Sequence, residues 1–65
     1  MNPAYHMRAR EINRVISAVN SRKTVVEAGL KTEAELELYE NIWAEAQCHW
    51  EKYGKWPVFE LCELD

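Results

Sequence analysis

The chain has 65 residues, 48 % of them apolar, with 8 Lys plus Arg against 11 Asp plus Glu and a formal net charge of -3. Two glycines and two prolines mark it as globular rather than disordered or collagen-like. The length allows one small domain spanning residues 1–65, and excludes a dinucleotide-binding fold, a kinase fold or a closed barrel.

The first predicted helix runs from Pro3 to about Val19, with Asn2 as its cap and Pro3 at the first helical position. Tyr5, Ala9, Ile12, Ile16 and Val19 follow helical spacing, with Val15 beside them, and make one apolar stripe. Arg10 and Arg14 fall on the solvated side, four residues apart, where they repel mildly. Asn20 and Ser21 read as a stop. Thr24 with Glu27 forms a capping-box signature and Gly29 a carboxy-terminal cap, leaving room for one helical turn. Val25, Val26 and Leu30 are expected to dock that turn on the core.

Thr32 with Glu35 forms a second, stronger capping box, which opens a helix from Glu33 to about Tyr53. Glu33 and Glu35 in its first turn and Lys52 in its last suit the helix dipole, and Gly54 supplies the stop. Leu36, Tyr39, Trp43, Ala46, Trp50 and Tyr53 alternate by three and four, a heptad seam widened by Leu38 and Ile42. Six of the seven aromatics lie between Tyr39 and Phe59. They are expected to supply much of the core that so short a chain otherwise lacks.

After Gly54, Trp56 precedes Pro57 and is held away from helical geometry. Residues 57–64 are expected to form a short helix or an irregular tail, with a short edge strand as the alternative. The stretch YGKWPVFEL, Tyr53–Leu61, resembles the turn region of bacterial helix-turn-helix domains of the LexA-repressor kind. There an aromatic–Gly turn is followed by Pro and a helix. Val58 stands where that pattern has a polar cap, and no reading helix follows. The expected architecture is all-α: an antiparallel two-helix hairpin, a short connecting helical turn, and a C-terminal segment packed across it.

Net charge conceals an asymmetry. Residues 1–32 carry six basic and two acidic side chains, and residues 33–65 two basic and nine acidic. His6, Cys48, His49 and Cys62 lack the spacing of a zinc motif. Cys48 and Cys62 are expected to be small buried hydrophobes, and His49 to face the surface. The neighbours Cys48 and His49 do not face each other on a helix, as a thiol nucleophile and its base must. No metal, no cofactor and no enzymatic activity is expected, and the glutamates read as a solvated face.

Tyr, Trp and Arg are the usual anchors of protein interfaces. The expected function is therefore stoichiometric binding of a partner protein by a regulator or adaptor of the kind common among phage-encoded and accessory proteins, acting alone or as a homodimer. The contact candidates are Trp56, Arg10, Arg14, Tyr39 and Glu40. The first alternative is a DNA-binding regulator that contacts phosphates through Arg10, Arg14, Arg22 and Lys23. The second is an acidic DNA mimic displaying Glu33, Glu37, Glu40 and Glu51. With two cysteines and no apolar run of signal-peptide or membrane-span length, a cytoplasmic location without membrane contact is expected.

Overall fold

The structure is a computed structural model and describes residues 7–63. It contains α1 (Ala9–Asn20), α2 (Val25–Ala28) and α3 (Glu33–Tyr53). The protein is all-α, a hairpin-like fold in which α1 packs closely on α3 with the single turn α2 between them.

α1 starts later than its sequence suggests. Arg8 is its N-cap, with extended backbone and no side-chain capping bond, so the helix opens at Ala9 rather than Pro3. Asn2, Pro3 and Tyr5 lie outside the described residues. The physical reason is Met7, which is buried in one apolar cluster with Val15 and Leu30, against which Ile12 packs. Met7 and Ile12 occupy the two positions of a hydrophobic staple, which fixes how the chain enters a helix. Beyond them Val15, Ile16, Ala18 and Val19 complete the buried face of α1.

α1 ends in a turn closed by bonds from Arg22 N to Val19 O and from Lys23 N to Ala18 O. In this arrangement the penultimate residue adopts a left-handed backbone, usually as glycine. Here it is Arg22, at φ 56°. Thr24 and Glu27 then form the expected capping box around α2, and Gly29 ends that turn at φ 72°. Leu30 is buried and Val25 half-buried. Val26 is exposed, contrary to expectation. A single helical turn presents only one side to the core, and Val25, Ala28 and Leu30 occupy it.

The connection through α2 carries the chain back beside α1. Glu35 in the first turn of α3 meets Arg14 in the middle of α1, whereas Trp50 near the far end meets Arg22 just beyond α1. α3 has the predicted bounds, with both capping-box bonds of Thr32 and Glu35 and Gly54 left-handed at its end. Its heptad seam is buried unevenly. Ala46 is fully buried, and Leu36, Tyr39 and Trp43 are half-buried. Trp50 is 46 % and Tyr53 62 % exposed.

The tail from Lys55 to Glu63 has no helix and no strand. The helix that a helix-turn-helix lead-in requires after Pro57 is therefore missing. Asn20 and Asn13 hold the backbone of Phe59 and Cys62 instead, so the tail runs along α1 in the opposite direction.

Candidate functional site

Two surfaces bring candidate residues together. The first is the aromatic end, where the last turns of α3 meet the start of the tail. Gly54 turns the chain, and two residues later the Trp56 indole Nε1 donates to Val19 O at 2.7 Å. The Trp56 ring meets Trp43 edge-on at 4.9 Å, and Trp43 in turn stacks on Tyr39 at 5.5 Å. The Arg22 guanidinium lies 4.5 Å from the Trp56 ring centre and 4.8 Å from that of Trp50. One cation thus bridges two indole faces, an arrangement favoured by the ring quadrupole. On the next turn His49 Nδ1 lies 2.9 Å from Lys55 O, and its ring packs 4.6 Å from Tyr53. Trp50 and Tyr53 remain open to solvent around this cluster.

The second surface is an open cleft of about 370 Å³ where the first turns of α1 face the link from α2 to α3. Arg8, Arg10, Arg14 and Lys31 line it, together with Glu11 and Glu35. Glu35 is only 4 % exposed, and it is fully engaged. Its Oε1 accepts from Thr32 N, Lys31 N and Thr32 Oγ1 at 3.0–3.2 Å. Its Oε2 lies 3.6 Å from an Arg14 guanidinium nitrogen. The backbone donor of Thr32 is the largest influence holding its carboxyl below the usual carboxylate range. Lys31 N, the Thr32 hydroxyl and the Arg14 charge act the same way, against the opposing effect of burial. Glu27 is lowered likewise, first by the backbone and then by the hydroxyl of Thr24.

The predicted contact residues divide between these surfaces. Arg10 and Arg14 share the cleft. Lys23 sits with Arg14 at a smaller depression, and Arg22 lies apart, on the indoles. Trp56 and Tyr39 both serve the fold directly. Trp56 fastens the tail to α1. The Tyr39 hydroxyl donates to Lys23 O at 2.7 Å. Burial first, and the Glu27 charge second, push that phenol up. Glu40 is exposed on α3. Cys48 and Cys62 are free and exposed rather than buried: Cys48 lies off the seam of α3, and Cys62 is held through its backbone, leaving its side chain outward.

Asn13 and Asn20 were not legible as a pair, although asparagine inside a helix is unfavourable enough to ask what it binds. The sequence marks Arg22 only by its charge; its stacking on two indoles is a property of the folded end. Among the described residues no group of His, Cys, Asp and Glu is placed to hold a metal ion, and no helix is long and apolar enough to cross a membrane. No protein-family model, curated protein or solved structure matches this chain.

Proposed function

We propose that the chain is a small cytoplasmic regulator or adaptor that binds a partner protein stoichiometrically, without catalysis, through its aromatic end. The observation that carries this reading is the exposure of Trp50 and Tyr53 beside an arginine already stacked between two indoles. Large aromatic side chains left half in water, with a guanidinium among them, are the composition of an interface hot spot. The entropy cost of ordering Trp50 on binding is small, because the Arg22 stack already holds it. Arg10, Arg14 and Glu40 lie outside this cluster and act as peripheral charges that set orientation and encounter rate.

The test is retention of proteins on the immobilised chain from its own cells, followed by titration of the recovered protein against purified variants. We expect one-to-one binding that Trp50→Ala with Tyr53→Ala weakens at least tenfold and Glu40→Ala leaves within about twofold. Loss of binding with Arg10→Ala and Arg14→Ala alone would overturn the assignment of the face.

A second reading rests on the cleft. Arg8, Arg10, Arg14 and Lys31 gathered around one concavity suit phosphate contacts. Under that reading duplex DNA binds with an affinity that falls steeply as salt rises. Failure to bind DNA at low salt removes it.

A further inference from the structure

Asn13 and Asn20 stand seven residues apart on α1 and therefore on one face. Each uses its side-chain amide in the same way. Phe59 N donates to Asn20 Oδ1 at 2.8 Å, and Asn20 Nδ2 donates to Phe59 O at 3.0 Å. Cys62 N donates to Asn13 Oδ1 at 2.6 Å, and Asn13 Nδ2 donates to Cys62 O at 2.9 Å. Each asparagine thus pairs with both backbone groups of one tail residue, as a neighbouring strand would. The registers agree. Seven helical residues rise about 10.5 Å, and three extended residues span about 10 Å. The clamp touches main-chain atoms only, so it specifies an extended backbone and its spacing rather than a side chain.

We propose that α1 is a backbone-reading site for an extended peptide, and that the occupant which replaces the chain's own tail is the tail of a second copy, exchanged reciprocally. An identical tail reproduces every bond, including Trp56 Nε1 to Val19 O and the edge contact with Trp43. Only Gly54 and Lys55 separate α3 from Trp56, so a single backbone change at Gly54 (φ 72°) redirects the whole segment. The tail has no main-chain ladder to break, and Val58 and Leu61 are already 83 % and 57 % exposed. Detachment therefore frees Trp56, Phe59 and two amide clamps. Those groups are satisfied again when a second tail arrives, so the exchange costs no contact that the closed chain makes. The attached tail competes at an effective concentration on the order of mM, so exchange in the native sequence belongs to high concentrations. A β-branched residue at position 54 shifts the balance. Nothing lies within 4 Å of a Cβ built there, so its effect is on the left-handed hinge and not on packing. The clamp stands on Asn13 and Asn20, whereas the aromatic reading stands on Trp50 and Tyr53; they share only Trp56, which an exchanged tail also supplies to Arg22.

Sedimentation of the full chain under reducing conditions tests this, with helicity followed by circular dichroism. We expect the native chain to rise from 7.7 kDa towards twice that mass as its concentration approaches mM. Gly54→Val should lower the concentration of half-dimerisation at least tenfold, and Asn13→Ala with Asn20→Ala should return it to one chain mass. A helical Gly54→Val protein that stays at one chain mass overturns the proposal, as does a dimer indifferent to the asparagine changes. A second measurement covers a Gly54→Val chain that does not fold. A synthetic peptide of residues 55–63 is titrated into the isotope-labelled native chain. Signals of the labelled chain's own displaced tail, the Phe59 and Cys62 backbone amides and the Trp56 indole N–H, should shift, and should do so equally with a peptide N-methylated at Glu60 and Leu61. N-methylation at Phe59 and Cys62 should abolish the shifts. Absence of shifts, or equal shifts with both methylated peptides, overturns it.

Discussion

The two ends of this molecule are closed by different interactions. Around Met7, Val15 and Leu30 the chain folds on itself by apolar burial, with both capping boxes nearby fixing where α2 and α3 begin. Around Trp43, Trp50 and Trp56 apolar burial extends to Val19 and Ala46 but leaves the outer aromatics open. The contacts are stacked rings, a guanidinium over two indoles, and amide clamps on an irregular tail. The first end buries Met7, Val15 and Leu30 and leaves Val26 exposed. The second leaves two large aromatics in water and a tail fastened by groups that any similar segment also satisfies. A 65-residue chain has little apolar surface to spare for a second core of the same kind.

Removing the apolar end should have the largest effect. Leu30 is buried in the central cluster and follows Gly29 directly, so Leu30→Ala leaves a cavity between α1 and α3. The expected cost is about 2–5 kcal/mol. Total stability for a chain of this length is only about 3–10 kcal/mol. Chemical denaturation should show the midpoint collapsing and the aromatic end melting with the rest. Retention of native Trp fluorescence after loss of helicity elsewhere would mean that the two ends fold separately.

The capping boxes explain why so much of the first end was readable. Thr24–Glu27 and Thr32–Glu35 are local, as are the glycines that follow each helix, so four residues of sequence specify each boundary. Trp43 and Ala46 followed from the same periodicity. What was hidden depends on long sequence separation. The start of α1 is set by Met7 meeting Leu30, and the tail by asparagines 39 and 49 residues away from their partners. Glu35 was legible as the capping partner of Thr32, but nothing local indicates that the returning chain will bury it against Arg14. The heptad seam predicted a uniform stripe. The tail covers Trp43 and leaves Trp50 and Tyr53 open, which is a property of the assembled end and not of the helix.

Glu35 ties the apolar end to the basic cleft, and its loss should be the next largest effect. Glu35→Ala deprives Lys31 N and Thr32 N of their acceptor and leaves Arg14 unpaired, an expected loss of about 1–3 kcal/mol. Acid should act on the same group. Because its folded carboxyl is held below the ordinary value, its stabilisation is complete above the unfolded pKa of about 4.3. It disappears as pH falls through the lower, folded value. Glu27, lowered in the same direction, adds to the trend. Thermal melts from pH 7 down to pH 2 should show this loss, and Glu35→Gln should flatten the dependence by removing the titrating group. An unchanged acid profile in that variant would assign the loss to Glu27 or to other carboxylates.

The smallest effect should fall at Arg22, where two contributions oppose each other. Its backbone sits at φ 56°, a left-handed conformation that costs an ordinary residue about 1–2 kcal/mol. Its guanidinium recovers about 0.5–1 kcal/mol from each indole at a surface site. Arg22→Gly relieves the first and forfeits the second, so the denaturation midpoint should barely move. Arg22→Ala forfeits the stacking and keeps the strain, so it should be the less stable of the two by about 1 kcal/mol. In both variants Trp50 loses the cation that holds its face, and its fluorescence should become more accessible to a soluble quencher. Equal stability of Gly and Ala at this position would mean that the turn after α1 relaxes when the side chain is cut back. Arg22 would then be held in its left-handed backbone by the indoles rather than by the bonds to Val19 and Ala18, and the aromatic end would be shaping α1 rather than resting on it.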